Sequence, residues 1–119
     1  MTGTTTSWRR PERGRDLTGL GCLEAEIMRI VWDKGEVTVR DVYEELRLRR
    51  RIAYTTVMSV LRNLSVKGLL EQDKSAAAYV YRATVSDRDV AVGILATVVD
   101  TIMGGETGPL IAFLTAYRP

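Results

Sequence analysis

The chain has 119 residues, enough for one small domain with an appendage, and its 45% hydrophobic and 27% charged residues match a folded protein and not a disordered tail. A formal net charge of +2 is too small by itself to imply a polyanionic partner, so such a partner must be argued from where the charge sits. A single cysteine, Cys22, and no histidine remove intramolecular disulfides, cysteine-cluster metal sites, catalytic triads and histidine acid/base chemistry, so no enzyme, cofactor or metal is expected.

Met1 to Asp16 is rich in Thr, Arg and Gly and has no apolar period, which predicts a disordered basic arm over residues 1–16. Arg9, Arg10, Arg13 and Arg15 suit either a solubilising tail or phosphate neutralisation. No signal-peptide core is present, and the longest apolar run, Val90 to Met103, contains Asp100 and is shorter than the ~20 residues of a membrane span, so a cytoplasmic protein is expected. Gly21 to Trp32 carries Leu23, Ile27, Ile30 and Val31 on one face and predicts a first helix ended by Asp33 to Gly35. Met28 and Trp32 are read as core, and Cys22 as a small buried or half-buried residue near the helix start.

Glu36 and Val37 form a short extended link, long enough for a minor strand. Thr38 then caps a second helix, Asp41 completes a capping box, and Val39, Val42, Tyr43 and Leu46 face inward. After a basic turn, Ala53 to Gly68 reads as one amphipathic helix. Tyr54, Val57, Leu61 and Leu64 recur at helical spacing, with Val60 widening the stripe. Its other face carries Thr55, Thr56, Ser59, Arg62 and Asn63, short hydrogen-bonding groups and a guanidinium where an ordinary solvated face would alternate Glu and Lys. From Arg47 to Gly68 there are six basic residues and no acidic one. Two short helices joined by a tight basic turn, the second polar on its outer face, make a helix-turn-helix.

Leu69 to Gln72 and Tyr79 to Ala83 flank a small-residue tip and predict a β-hairpin, a wing, with Tyr79 and Tyr81 on one face and Val80 and Arg82 on the other. Lys74 and Arg82 are its only cations. Ser86 caps a further helix with Asp87 and Asp89 in the first turn, and Val90, Ala91, Ile94, Leu95, Val98, Val99, Ile102 and Met103 form a wide apolar stripe. Gly104 and Gly105 turn the chain, and Pro109 opens a last helix with Leu110, Ile111, Phe113, Leu114 and Tyr117. Burying about seven aliphatic side chains is worth roughly 10 to 20 kcal/mol before entropic costs. Self-association is therefore read for this region, with Val90, Ile94, Leu95, Val98, Val99, Ile102, Leu110, Phe113 and Leu114 at the interface. The alternative is that the stripe folds back on its own core. The expected fold class is mainly α with a small β-hairpin: a winged helix-turn-helix domain over residues 17–84 and C-terminal dimerisation helices over residues 85–119.

The Leu23-Glu24-x-x-Ile27-Met28-x-x-Val31-Trp32 block, then Val37-Thr38-Val39-Arg40-Asp41-Val42-Tyr43, Ala53-Tyr54-Thr55-Thr56-Val57-Met58 and Lys67-Gly68-Leu69, resembles the penicillinase-repressor (BlaI/MecI) family from about Leu20 to Phe113. The resemblance implies a winged-helix repressor, dimeric through its C-terminal helices, on a dyad operator ahead of genes such as β-lactamases or cell-envelope stress genes. It puts the third helix in the major groove, so that Thr55, Thr56, Ser59, Arg62 and Asn63 inherit base contact, while Arg49, Arg50, Arg51 and Lys74 are assigned to phosphates. In that family a membrane sensor-protease signal leads to cleavage within the dimerisation helix, and in staphylococcal members the bond is Asn-Phe. Here the aligned pair is Thr97-Val98. Copper-responsive relatives carry a C-terminal cysteine cluster, and this chain has none. Family members usually continue through a further helix where this chain stops at Pro119, so the dimer is expected either to be looser or to rest on the Val90 to Met103 stripe. A module that meets a protein partner through the same helix is the competing reading, and salt dependence separates the two.

Overall fold

The computed structural model describes residues 20–75 and 77–119, so the expected basic arm at residues 1–16 lies outside the described residues. In chain order the elements are α1 (Cys22–Lys34), β1 (Glu36–Thr38), α2 (Val39–Leu46), α3 (Tyr54–Val66), β2 (Leu70–Asp73), β3 (Val80–Ala83), α4 (Asp87–Thr101) and α5 (Gly108–Ala116). The chain divides into two compact units, Met1–Ser86 and Asp87–Pro119. Among the described residues no helix is long and apolar enough to cross a membrane.

The first unit is a winged helix built on one core. Ile27, Met28, Ile30 and Val31 from α1, Val42 and Leu46 from α2, and Val57, Leu61 and Leu64 from α3 meet Val37, Leu70 and Tyr81 of the sheet, all buried. The 3.6-residue period lays one stripe of each helix inward. α2 begins as expected: the Thr38 hydroxyl accepts the Asp41 N–H at 3.1 Å, and the Asp41 carboxylate accepts the Thr38 N–H at 2.9 Å. α1 stops where Gly35 takes a φ of +90° and donates its N–H to the Val31 carbonyl at 2.8 Å.

The sheet is larger than a hairpin. β1 joins as a third strand, giving the order β1-β3-β2, antiparallel throughout. The register sets Val37 and Gln72 on either side of Tyr81, and Glu36 and Glu71 on either side of Arg82. Period two then separates the faces, with Val37 and Tyr81 buried inward and Glu36, Arg82 and Glu71 exposed outward. The Tyr81 hydroxyl accepts from Gln72 Nε2 at 2.6 Å. Tyr79 was expected beside Tyr81, but β3 starts at Val80, leaving Tyr79 outside the strand and 50% exposed.

α3 is coupled to the wing through Gly68, whose φ of +86° turns the chain out of the helix. The Leu69 N–H reaches back to the Leu64 carbonyl at 3.0 Å, and the Thr84 hydroxyl donates to the Gly68 carbonyl at 2.6 Å. Next to Thr84, at the same base of the wing, the Trp32 indole N–H donates to the Val85 carbonyl at 2.9 Å, pinning the outgoing chain to α1. Trp32 packs against the core as expected but stays partly buried, with its ring N–H on the Val85 carbonyl. Two expectations are corrected. Cys22 is exposed at the start of α1. Tyr54 is 39% exposed and lies edge-on to the Tyr43 ring, centroids 5.3 Å apart, since the first turn of α3 projects beyond the core.

In the second unit, neither α4 nor α5 has a buried residue. Val90, Ile94, Val98, Val99, Met103 and Leu110 are half-buried, whereas Leu95, Ile102, Phe113 and Leu114 are exposed. At the end of α5 the Phe113 ring lies against that of Tyr117, the residue that follows the helix, with centroids 5.5 Å apart.

Candidate nucleic-acid interface

Three buried side chains, Val57, Leu61 and Leu64, fix the rotation of α3 about its own axis. Thr55, Thr56, Ser59, Arg62 and Asn63 fall on the opposite side, and all five are exposed. The helix contains no acidic residue, so nothing on this face repels a phosphate. Hydroxyls, an amide and a guanidinium at helical spacing can both donate to and accept from base edges.

The basic cluster around this helix is more nearly neutral than its sequence suggests. Glu26, whose side chain is only 14% exposed, receives Arg49 at 3.1 Å on one oxygen and Arg50 at 2.9 Å on the other. Arg49 also reaches Glu45 at 3.0 Å, and Arg47 meets Glu44 at 3.2 Å. Lys67 sits on Glu24 at 2.9 Å, and Glu24 also accepts the Gly21 N–H at 3.1 Å, tying the start of α1 to the end of α3. Arg49 and Arg50 therefore hold the α2–α3 turn against α1, and reaching a phosphate would mean leaving Glu26. Among the described residues Arg51 and Arg62 form no ion pair.

On the wing, Arg82 is held between Glu71 and Glu36, the latter at 3.7 Å, and these carboxylates raise its already high pKa. That leaves Lys74 as the wing cation directed elsewhere, 5.9 Å above the Tyr79 ring. Beside it, the Ser75 hydroxyl and N–H both donate to Asp73, at 2.6 and 2.9 Å, and hold that carboxyl below its ordinary range. The wing tip therefore stays anionic at Asp73 next to its one available cation.

Met58 carries part of the family resemblance in the sequence but has no contact role assigned there. It is 42% exposed on the outer side of α3, three residues after Thr55 and four before Arg62. The same spacing that placed Arg62 outward contains it.

The penicillinase repressor family profile matches residues 20–119. Transcriptional regulator BlaI of Mycobacterium tuberculosis is 44% identical over 91 residues, covering 76% of this chain and 64% of its own length. An uncharacterized 16.5 kDa protein from the ptsI 3′ region of Latilactobacillus sakei is 30% identical over 91 residues, covering 76% of this chain and 62% of its own. The chain thus spans less than two thirds of the length of these relatives. The solution structure of the DNA binding domain of the repressor BlaI superposes with a TM-score of 0.54 at 23% identity, over 62% of this chain and 90% of that one. The fold is therefore that of a winged helix.

Proposed function

The chain belongs to the penicillinase repressor family, and from that premise we propose that it is a homodimeric transcriptional repressor that occupies a dyad operator in double-stranded DNA. Each protomer inserts α3 into a major groove. Thr55, Thr56, Ser59, Arg62 and Asn63 face the base edges, and Arg51 and Lys74 lie nearest the phosphates. Arg49 and Arg50 set the angle of the turn through Glu26 and add phosphate contact only on exchange with it. The observation that carries this reading is the division of α3: Val57, Leu61 and Leu64 sealed in the core, an acid-free hydrogen-bonding surface outside.

The second unit supports the dimer. Leu95, Ile102, Phe113 and Leu114 are exposed in the single chain, and a matching copy would cover them together with the half-buried Val90, Ile94, Val98, Val99 and Leu110. Family membership alone supports the finer readings: β-lactamase or cell-envelope stress genes as targets, and a membrane sensor-protease acting upstream. The Thr97-Val98 bond lies inside α4, where the Thr97 hydroxyl donates to the Gly93 carbonyl at 3.1 Å, so a protease would have to unwind the helix to reach it.

Fluorescence anisotropy with duplexes from the upstream region of the gene, against scrambled duplexes, tests the reading. With Arg51 and Lys74 on phosphate in each of two protomers, the plot of log affinity against log salt should have a slope of about −3.6, a loss of roughly a hundredfold between 50 and 200 mM salt. Arg62→Ala should cost about 1 to 3 kcal/mol on the preferred duplex if it reads a guanine. Binding indifferent to salt, or equal for all duplexes and for Arg62→Ala, overturns the proposal.

A further inference from the structure

We propose that Met58 is a specificity-determining residue that reads the C5-methyl group of a thymine in the major groove, an inference that rests on the DNA-binding reading above. Met58 is 42% exposed, whereas the neighbouring apolar residues of α3, Val57, Leu61 and Leu64, are 0% exposed. The core therefore does not account for it. It lies between Thr55 and Arg62 along the helix, with Ser59 beside it, so a groove that receives those three receives Met58 as well.

Chemistry then narrows what Met58 can meet. A thioether neither donates nor usefully accepts a hydrogen bond, so against most base edges and every phosphate it would strip water and return nothing. Thymine is the one base that presents an apolar group in the major groove. An unbranched, polarizable side chain with three rotatable bonds can follow that methyl as the helix settles. The hydroxyls and the guanidinium around Met58 recognise polar atoms. Met58 adds discrimination that they cannot supply.

Deoxyuridine differs from thymidine only by the missing methyl, which makes the test direct. Duplexes recovered by the full chain from a randomised library are resynthesised with uracil at one thymine position at a time, and their affinities are measured for the natural protein, Met58→Ala and Met58→Leu. The natural protein should lose about fourfold per half-site at one position, the worth of one buried methyl group. Met58→Ala should lose that preference while keeping its salt slope, and Met58→Leu should retain most of it. If salt-dependent binding persists but no thymine position responds, or if the response survives in Met58→Ala, the inference fails and the DNA-binding reading stands. If no duplex shows salt-dependent binding, both fail.

Discussion

The two units of the chain contain similar aliphatic side chains and handle them in opposite ways. In the first, twelve of the described residues, from three helices and a sheet, are buried together. In the second, two helices bury none. The difference is geometric. Three helices and a three-stranded sheet supply enough directions to surround a point, whereas two helices by themselves cannot enclose one. A unit of the first kind can melt cooperatively alone. A unit of the second kind leaves its apolar side chains uncovered, and in the homodimer proposed above a second copy supplies a surface of matching character.

The comparison can be broken by substitutions placed in one unit and read out in both. The largest effect is expected for Leu61→Ala, which opens a cavity at a fully buried site and should destabilise the first unit by about 2 to 5 kcal/mol in urea unfolding. Self-association measured by sedimentation below the unfolding transition should not change, and a loss of self-association there would mean the units do not stand apart. Leu95→Asp is the reciprocal case. A charge in an apolar interface should weaken the dimer by at least about thirtyfold, with the melting of the first unit unaltered. A dimer that survives Leu95→Asp removes the stripe from the interface.

Smaller effects sharpen the account of the first unit. Glu26→Gln releases Arg49 and Arg50, whose side chains are 45% exposed, so solvent screening limits the stability cost to about 1 kcal/mol. The same change should steepen the salt slope of DNA binding by about 2 per protomer as both guanidinium groups reach phosphate. An unchanged slope would show that they stay with Glu45 or solvent. The smallest effect is at the wing tip. Ser75→Ala removes the hydroxyl that does most to hold the Asp73 carboxyl low, and carboxyl NMR titration should show its pKa rising toward the ordinary range. A carboxylate held low favours the fold at pH above that range, and the contribution fades as pH falls through it. In Ser75→Ala this acid sensitivity should shrink.

The local parts of the fold were legible in the sequence. The Thr38 and Asp41 capping box, the stop at Gly68 and the Val57-Leu61-Leu64 stripe are written within single elements, and period and spacing suffice to read them. The parts that escaped depend on residues far apart in the chain. β1 reaches β3 across more than forty positions, and no short-range pattern announces that Glu36 will face Arg82. The apparent run of unopposed positive charge in the basic turn dissolved for the same reason: Glu26 precedes Arg49 by twenty-three residues and is brought onto it only by helix packing. Tyr54 followed the inward period but stands one turn too early to reach the core. Met58 was legible in principle and was passed over because an apolar residue in an amphipathic helix invites a core assignment.

The hydrogen bond from the Trp32 ring to the Val85 carbonyl falls one residue before the first unit ends. Tension arriving through Ser86 is therefore taken first by an indole rooted in α1, before it can pull on β3 in the middle of the sheet. Trp8 is the only other tryptophan. With Trp8 replaced by Phe, Trp32 emission would serve as a built-in strain gauge for the joint, reporting in real time whether an event on one side is felt on the other.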